Sequence, residues 1–435
     1  MLSFDIDQVY SRTQPAYRGK NLYPFFRNRN NKFLPLQFSY SFRQNTGMKK
    51  ENDITYFAQL LFRNDKTVFG IRQDDRLLHS YIIGKTGTGK STLIQTMVMQ
   101  DINAGRGVCL LDPHGDLVES VFRAIPENRI KDIIYFNVPD VSLKLKYNPF
   151  KNVSYEKRSL VASSILDVFK KLWSDAWGVK LEHILRYAIL TLLDQPSATI
   201  ADIPKILLDR SYRRQAITHV KNESVKNFWE KEFSNYNKYD LLPALNKVGG
   251  MLAHPAIKRV LIENPLEISL RKAMDEKKII LVNLSKGHLG EDIAHILGAL
   301  LISSISSAAF SRVDIAEEER VPYMVYMDEF HNFTTLSLVN MFSELRKFKV
   351  GLTLAHQYIH QLDDEIKQAI IGNAGTLISF RLGAEDAQFM SLEMFPTFDM
   401  EDFINLPNRH IYLKLMIDGA PSRPFSATTI HLDQV

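Results

Sequence analysis

The sequence predicts an α/β fold with a mostly parallel, twisted sheet and an inserted all-α domain. Two observations lead to this expectation. Short apolar runs alternate with helical segments, as in a doubly wound sheet whose strands are buried on both faces. One long interval contains amphipathic helices instead of strands. With 435 residues, 45% of them hydrophobic, the chain is long enough to bury a large core in two or three domains.

The expected strands are seven short apolar runs of the kind that a buried parallel sheet requires. They lie at residues 79–84, 107–113, 132–138, 278–284, 322–330, 350–357 and 375–382. A further run at 410–419 is expected to form an edge strand. Before these runs, DITYFAQLLF (53–62) is expected to form a short helix and TVFGIR (67–72) a strand.

The helical interval extends from about Tyr155 to Leu270. Its first segment carries apolar residues at helical spacing, namely Leu160, Ile165, Val168, Phe169 and Leu172. The chain's three tryptophans fall in this interval and are expected to be core residues of a separate domain: Trp173, Trp177 and Trp229. The predicted division is a basic, aromatic arm at 1–54, a first part of the core at 55–154, the all-α domain at 155–270 and a second part of the core at 271–435.

The composition favours an intracellular protein. The longest apolar stretch, Ile293 to Phe310, contains a histidine and several serines, so we expect a buried helix and no transmembrane segment. No signal peptide is expected at the N-terminus. The single cysteine, Cys109, lies in an apolar run and is expected to be a buried, inert thiol. These features predict a cytoplasmic location, with a peripheral place at the membrane as an alternative.

The positive charge of the chain is concentrated near its N-terminus. Residues 1–50 hold nine lysines and arginines and only two acidic residues, Asp5 and Asp7, whereas the whole chain has a net charge of +5. Aromatic residues are interleaved with the basic ones, a pattern that suits contact with a nucleic-acid backbone and its bases. The arm is equally suited to a neighbouring subunit, an anionic membrane, a secretion partner or its own protein.

A phosphate-binding loop is predicted at GKTGTGKST (84–92), between an expected strand and an expected helix. Glycines allow the backbone N–H groups to turn toward an anion. Lys90 is expected to meet the β- and γ-phosphates, and the hydroxyl of Ser91 to ligate Mg²⁺. The candidate nucleotide-binding residues are Gly84, Lys85, Thr86, Gly87, Thr88, Gly89, Lys90, Ser91 and Thr92. ATP and Mg²⁺ are therefore the expected cofactors.

The acidic pair Asp328–Glu329 ends the apolar run of 322–330. In a protein with a phosphate-binding loop, such an aspartate holds Mg²⁺ opposite the hydroxyl of Ser91. Glu329 has the chemistry to accept a proton from a water molecule aligned with the γ-phosphate. This base predicts an ATPase rather than a kinase.

Further candidates lie at the carboxyl ends of three other expected strands. Gln357 is expected to sense the attacking water or the γ-phosphate, unless it is only satisfied by backbone groups. Arg381 is the first candidate for an arginine that reaches a neighbouring subunit's γ-phosphate, and Arg346 is the competitor. Asp112, in LLDPHGD (110–116), is expected either to order the catalytic water or to cap a helix.

In their order and spacing, several segments resemble the HerA/FtsK superfamily of ring-forming ATPases that pump DNA. These segments are GKTGTGKST, DPHGD, MDEFHNF, LAHQ and GTLISFRLGAEDA, and the resemblance covers about residues 55–430. It is nearest to conjugative coupling proteins of type IV secretion, of the TraG/TraD kind. DAWGVKLEHILRYAILTLL, IILVNLSKGHLGED and RPFSATTI are similar to stretches of soluble members of that group.

The resemblance implies a RecA-like P-loop NTPase core, a homo-hexamer around a channel, ATP at the subunit boundaries and translocation of DNA. It implies that Asp328 and Glu329 form the metal and base pair, Gln357 the sensor and Arg381 the finger. A relaxase or a secretion-channel component is the implied partner. Two alternatives remain open: a cytosolic DNA-processing or defence motor with a nuclease partner, and an ATPase that recruits or remodels protein substrates.

Overall fold

The computed structural model of the protein describes residues 53–61, 67–335 and 337–434. Apart from its last two positions, the predicted basic arm lies outside the described residues. The strands are β1 (Ile54–Leu60), β2 (Val68–Arg72), β3 (Ser80–Ile83), β4 (Gly107–Asp112), β5 (Ile133–Asn137), β6 (Leu145–Lys146), β7 (Leu266–Glu267), β8 (Ile279–Asn283), β9 (Tyr323–Met327), β10 (Val350–His356), β11 (Thr376–Ser379), β12 (His410–Lys414), β13 (Met416–Ile417), β14 (Ala420–Pro421) and β15 (Phe425–Thr429).

The α-helices of the described residues fall between these strands, and several are short. They are α1 (Gln73–Arg76), α2 (Lys90–Asn103), α3 (Asp116–Ala124), α4 (Arg158–Leu172), α5 (Val179–Leu193), α6 (Asp202–Leu208), α7 (Arg210–Thr218), α8 (Glu223–Asn227), α9 (Lys238–Ala253), α10 (Pro255–Lys258), α11 (Leu270–Asp275), α12 (Lys286–Leu289), α13 (Glu291–Phe310), α14 (Ser337–Glu344), α15 (Asp364–Asn373), α16 (Ala384–Glu393) and α17 (Met400–Asn405).

Eleven strands form one sheet, in the order β2-β1-β15-β12-β11-β3-β10-β9-β4-β8-β5. The strands from β11 to β5 are mutually parallel, whereas β12, β15, β1 and β2 continue the sheet with antiparallel pairing. All seven apolar runs predicted as sheet strands are confirmed. The carboxyl ends of the parallel strands therefore meet along one edge, where open α/β sheets bind their ligands.

The sheet is covered on both faces, as its buried strands require. In β4, Val108 and Leu110 join one apolar core, and Cys109 and Leu111 join the other. This alternation follows from the two-residue period of a strand. The first core includes side chains of α2 and α3, and the second includes α13 and the helices of the 158–253 region. Cys109 is buried as expected, and its burial raises the pKa of the thiol.

Between β6 and β7 the described chain forms a series of helices joined by turns and contains no strand. Leu145 pairs with Leu266 in a two-stranded parallel ladder, so this helical region leaves the core and returns to it at neighbouring points. Trp173 and Trp229 are buried in its interior, as the sequence predicts, and the half-buried Trp177 stacks on Trp173. The predicted boundaries of an inserted domain at 155 and 270 remain a prediction.

Two sequence predictions are wrong. Residues 54–60 form strand β1 rather than a helix, because their β-branched and aromatic side chains pair with both β2 and β15. The run that begins at His410 forms β12, which is not an edge strand, since β11 and β15 flank it. In both cases the decisive factor is the antiparallel strand β15, which lies between β1 and β12.

The apolar stretch at 293–310 is a helix, α13. The 24-residue helical stretch Glu291–Asp314 contains an 18-residue window with a mean hydropathy of 1.8. By length and composition it could cross a membrane, and it is the one such stretch in the described part of the chain. Within the fold, 72% of its apolar window is buried. The expectation of a buried helix is confirmed, and α13 supplies much of the core on its face of the sheet.

A buried ionic cluster fixes the far end of α2. The carboxylate of Asp101 accepts two hydrogen bonds from Arg76, at 2.7 and 2.9 Å, and one each from Arg106 and Tyr326. The Asp101 and Arg76 side chains are 0% and 1% exposed. Burial opposes the charge of Asp101, but the two arginines outweigh it and lower the pKa of the carboxyl. The charges in this cluster are therefore satisfied by one another.

We expect Asp101→Ala to destabilise the fold by about 3–5 kcal/mol, because it leaves the buried guanidinium of Arg76 without its counter-ion. A matched control is Glu119→Ala, which breaks the exposed pair with Arg123 and is expected to cost less than about 1 kcal/mol. Urea unfolding followed by circular dichroism measures both effects. Equal unfolding midpoints for the two variants would contradict the structural role of the cluster.

Candidate nucleotide-binding site

The predicted phosphate-binding loop lies between β3 and α2. Gly84 packs so closely on Phe380 that a Cβ at this position would lie 2.5 Å from the Cβ of Phe380. Gly87 and Gly89 have φ angles of +75° and +121°, which residues with side chains rarely adopt. The hydroxyl of Thr88 closes the loop by donating to the carbonyl of Lys85 at 2.7 Å. The loop thus has the backbone that the glycine spacing predicts.

Lys90 folds back under this loop from the first turn of α2. Its Nζ donates to the carbonyl of Gly84 at 2.6 Å and lies 3.3 Å from that of Lys85. Burial lowers the pKa of the ammonium group, and the carboxylate of Glu329, 4.0 Å away, partly opposes this shift. A desolvated cation held by neutral carbonyls gains strongly from a phosphate in the loop.

Ser91 and Asp328 meet across the carboxyl ends of β3 and β9. The hydroxyl of Ser91 donates to Oδ2 of Asp328 at 2.9 Å. Burial and the neighbouring carboxylate of Asp112 raise the pKa of Asp328. A hydroxyl and a buried carboxylate beside a second carboxylate are hard oxygen donors with excess negative charge, which fits Mg²⁺. No three His, Cys, Asp or Glu side chains of the described chain converge as a separate metal site.

Asp112 caps a helix, which confirms one of its two predicted roles. Its Oδ2 accepts hydrogen bonds from the backbone N–H groups of Leu117 and Val118, in the first turn of α3, at 2.9 and 3.2 Å. Its Oδ1 accepts from the N–H of His114 at 2.8 Å. Both oxygens of Asp112 therefore accept hydrogen bonds from the backbone. Asp112 influences the site through its negative charge, which raises the pKa of Asp328.

Glu329 occupies a left-handed backbone conformation with φ +43° directly after Asp328. Its Oε1 accepts a hydrogen bond from Nε2 of Gln357 at 2.6 Å. The other end of Gln357, Oε1, accepts from the hydroxyl of Thr86 in the phosphate-binding loop at 2.9 Å. Gln357 therefore links the loop to Glu329 through side chains, and its amide is not merely satisfied by backbone groups.

The second oxygen of Glu329 is buried without a hydrogen-bond partner in the described structure. It lies 3.5 Å from Nδ1 of His331, which also lacks a partner. Burial raises the pKa of Glu329. Burial and the charge of Lys286 lower the pKa of His331 to about 4, so its ring is neutral near pH 7. Glu329 thus keeps one free oxygen and an elevated proton affinity, as a general base requires.

Two lysines hold the loop that follows Glu329, which we call the catalytic loop (residues 330–334). Lys286 donates to the side chain of Asn332 at 2.9 Å, and Asn332 donates to the carbonyl of Glu329 at 2.7 Å. Lys171, in α4 of the helical region, donates to the hydroxyl of Thr334. The helical region therefore contacts the segment that carries the predicted base.

The two candidate arginines lie at opposite ends of the strands. The carbonyl of Arg381 accepts from the N–H of Lys85 at 2.9 Å, and its guanidinium lies 3.4 Å from the carbonyl of Leu406. Arg381 thus flanks the phosphate-binding loop of its own chain. Arg346 is exposed beside the amino end of β10. Thr92, the last predicted nucleotide-binding residue, is half-buried in the first turn of α2.

Sequence reasoning missed one residue at this site. The backbone N–H of Arg409 donates to the carbonyl of Thr88 at 2.9 Å. Its approach to the loop follows from the place of β12 beside β11, which no local motif encodes. A positive φ of +66° is the structural signal, and it has no clear counterpart in the sequence.

The raised pKa of Glu329 predicts a pH-dependent gain in stability for Glu329→Gln. A carboxyl whose pKa is raised by folding favours the fold when protonated, and this contribution is lost as the pH rises through the folded pKa. The glutamine is neutral throughout. We therefore expect the nucleotide-free variant to be more stable than the wild type at pH 8, and the difference to shrink toward pH 5.

Urea unfolding midpoints at both pH values measure this difference. Glu119→Gln, a change at an exposed carboxyl, is the control and is expected to show no such gain. A difference for Glu329→Gln that is constant with pH, or that grows toward pH 5, would contradict the burial of an ionised base.

Comparisons with known proteins agree with this geometry. Residues 68–394 match the sequence profile of the type IV secretion-system coupling protein DNA-binding domain. The fold is similar to that of the plasmid coupling protein TrwB in complex with a non-hydrolysable GTP analogue, at 16% identity over 86% of this chain and 89% of that one, with a TM-score of 0.61. TrwB in complex with ADP and Mg²⁺ gives 16% identity over 86% and 89%, with a TM-score of 0.58.

VirB4 of Thermoanaerobacter pseudethanolicus is similar at 12% identity over 88% of this chain and 97% of that one, with a TM-score of 0.61. No curated protein matches the sequence significantly. At these identities the solved structures establish the fold, a RecA-like P-loop core, and the profile match covers well over half of the chain. The chain belongs to the family of type IV secretion-system coupling proteins and is a P-loop ATPase of that family.

Proposed function

We propose that this chain is the motor subunit of a DNA-translocating ring, in which ATP hydrolysis at the subunit boundaries drives DNA toward a type IV secretion channel. The proposal rests on two side-chain hydrogen bonds, from Thr86 to Gln357 and from Gln357 to Glu329. They join the phosphate-binding loop to a buried carboxylate that has a free oxygen. A pure binding module has no use for such a base. Membership in the coupling family supplies DNA as the substrate.

Nucleotide binding is the task of the loop and of Lys90. Backbone N–H groups between Gly84 and Gly89 face the phosphates, and the first turn of α2 adds the positive end of its dipole. The ammonium of Lys90 exchanges the carbonyl of Gly84 for phosphate oxygens. Ser91 and Asp328 would hold Mg²⁺, which would neutralise charge on the phosphates when bound.

Hydrolysis is the task of Glu329. Its free oxygen accepts a proton from a water molecule in line with the γ-phosphate, and burial raises its pKa toward the range in which a base is effective. Gln357 reports the state of the nucleotide, because a γ-phosphate competes with Glu329 and Thr86 for its amide. The same three side chains therefore sense the nucleotide and act on it.

Coupling to DNA runs through the helical region. Lys171 of α4 donates a hydrogen bond to Thr334 in the catalytic loop. A displacement of the helices by DNA therefore changes the position of Glu329, which precedes this loop. Such a contact between the helical region and the loop that follows the base allows DNA to stimulate hydrolysis. The ring is proposed to be a hexamer at the cytoplasmic side of the channel, with a relaxase or a channel component as its partner.

Steady-state ATPase rates, measured against protein concentration with and without single- and double-stranded DNA, test the proposal. We expect DNA to stimulate the rate, and the rate to rise more steeply than the protein concentration. Lys90→Ala is expected to lose nucleotide binding, and Glu329→Gln to bind ATP but hydrolyse it at least about 100-fold more slowly. Lys131→Ala, at an exposed lysine, is the control.

A rate that is indifferent to DNA would instead favour an ATPase that remodels protein substrates. Activity strictly proportional to concentration, down to a measured monomer, would remove the ring. Co-purification of a nuclease in place of a relaxase would favour a DNA-processing motor.

Arg381 is proposed to stabilise the γ-phosphate of a neighbouring subunit, and a mixing experiment tests this role. Arg381→Ala is expected to assemble but to hydrolyse about 1,000-fold more slowly, the usual contribution of such an arginine. Mixed with Lys90→Ala, it is expected to regain activity, because each intact Lys90 can then lie beside an intact Arg381 from the other variant. Arg346→Ala, the comparison variant, is expected to retain turnover.

Normal turnover in Arg381→Ala would discard this assignment. A slow variant with no recovery on mixing would mean that Arg381 acts within its own subunit, where its backbone already contacts Lys85. Loss of turnover in Arg346→Ala alone would transfer the role to Arg346.

A further inference from the structure

We propose that Arg409 is a nucleotide-binding residue whose guanidinium contacts the α-phosphate and the nucleoside half of the nucleotide. The inference rests on the proposed function, because it takes a nucleotide in the phosphate-binding loop as given. Arg409 lies outside residues 68–394, which the family profile matches. The family comparison therefore assigns it no role.

The backbone of Arg409 is fixed against the loop from both sides. Its N–H donates to the carbonyl of Thr88 at 2.9 Å, and its carbonyl accepts from the N–H of Thr429, in β15, at 2.9 Å. These bonds hold it at φ +66°, a conformation that residues with a side chain seldom adopt. Conformations of this kind persist where the surrounding structure imposes them, and they are frequent at ligand sites.

The side chain of Arg409 extends over the start of α2. Its Cγ lies 3.8 Å from the position that a Cβ on Gly89 would take. The residue is exposed, and its guanidinium has no hydrogen-bond or ion-pair partner among the residues that the structure describes. By contrast, the guanidinium of Arg129 donates to three backbone carbonyls and to Asp132. Arg409 is therefore available to a ligand.

The strand order decides which part of a nucleotide Arg409 meets. Asp328 follows β9 and Gln357 follows β10, and both of these strands lie on one side of β3. In the proposed function, Asp328 and Gln357 contact the metal ion and the γ-phosphate. Arg409 precedes β12, two strands away on the other side of β3. The α-phosphate and the nucleoside extend away from the γ-phosphate, and hence toward β11 and β12.

A guanidinium suits this place chemically. It donates two parallel hydrogen bonds to a phosphate, and its planar face stacks on a purine ring. Because the contact is with parts that ADP and ATP share, Arg409 increases the affinity for both. It differs in this respect from Gln357 and Glu329, which distinguish the two nucleotides by the γ-phosphate.

Equilibrium titration of the full-length protein with fluorescent N-methylanthraniloyl-ADP, and competition by unlabelled ADP and ATP, test the role. We expect Arg409→Asn to weaken both nucleotides at least about tenfold, the loss of one charge-assisted contact. Asparagine tolerates the left-handed backbone, so the change removes the guanidinium and keeps the loop. Arg123→Asn, at an exposed arginine of α3, is the control and is expected to bind normally.

Arg409→Gly is a second variant, for which φ +66° carries no strain, and it is expected to show the same loss as Arg409→Asn. Unchanged ADP affinity in a folded variant would overturn the inference, as would a loss confined to ATP, which would move the residue to the γ-phosphate. Failure of the proposed function has a different signature, since Lys90→Ala would then bind the fluorescent nucleotide as well as the wild type does.

Discussion

The site depends on the parallel register of three neighbouring strands. His356 of β10 pairs with Ile83 of β3, and Leu354 pairs with Met327 of β9. The residues that follow these strands, Gly84, Asp328 and Gln357, therefore emerge side by side at one edge. A slip of one residue would turn every side chain of a strand to the other face and separate Ser91 from Asp328. The apolar cores on both faces of the sheet hold this register, since each strand alternates its side chains between them.

Much of this arrangement is predictable from the sequence, because local signals encode it. The parallel strands are continuous apolar runs, and the loop from Gly84 to Ser91 has a spacing that few other structures require. What the sequence does not encode locally is the antiparallel half of the sheet. The local pattern predicts a helix at the position of β1 and an edge strand at that of β12, because β15 comes last in the chain and yet lies between them. Arg409 was missed for the same reason, since it reaches the loop through β12.

The catalytic loop makes hydrogen bonds both to the helical region and to the residues that follow β9. Asn332 ties this loop to the carbonyl of Glu329, and Lys286 ties Asn332 to α12. Lys171 adds the only hydrogen bond among the described contacts that links α4 to the loop through side chains. Its ammonium is half-buried, and burial lowers its pKa, while the charge of Asp363 partly opposes this shift.

The two ends of α2 show how the fold separates stability from function. At its last turn, Asp101 and Arg76 satisfy each other in a buried cluster, and this arrangement stabilises the protein without a ligand. At its first turn, Lys90 donates to a backbone carbonyl and lies 4.0 Å from Glu329, and burial raises the pKa of both Asp328 and Glu329. Burial of these charges costs free energy that a phosphate and Mg²⁺ would relieve. A ligand that binds these groups only in the folded state therefore adds to the stability of the fold.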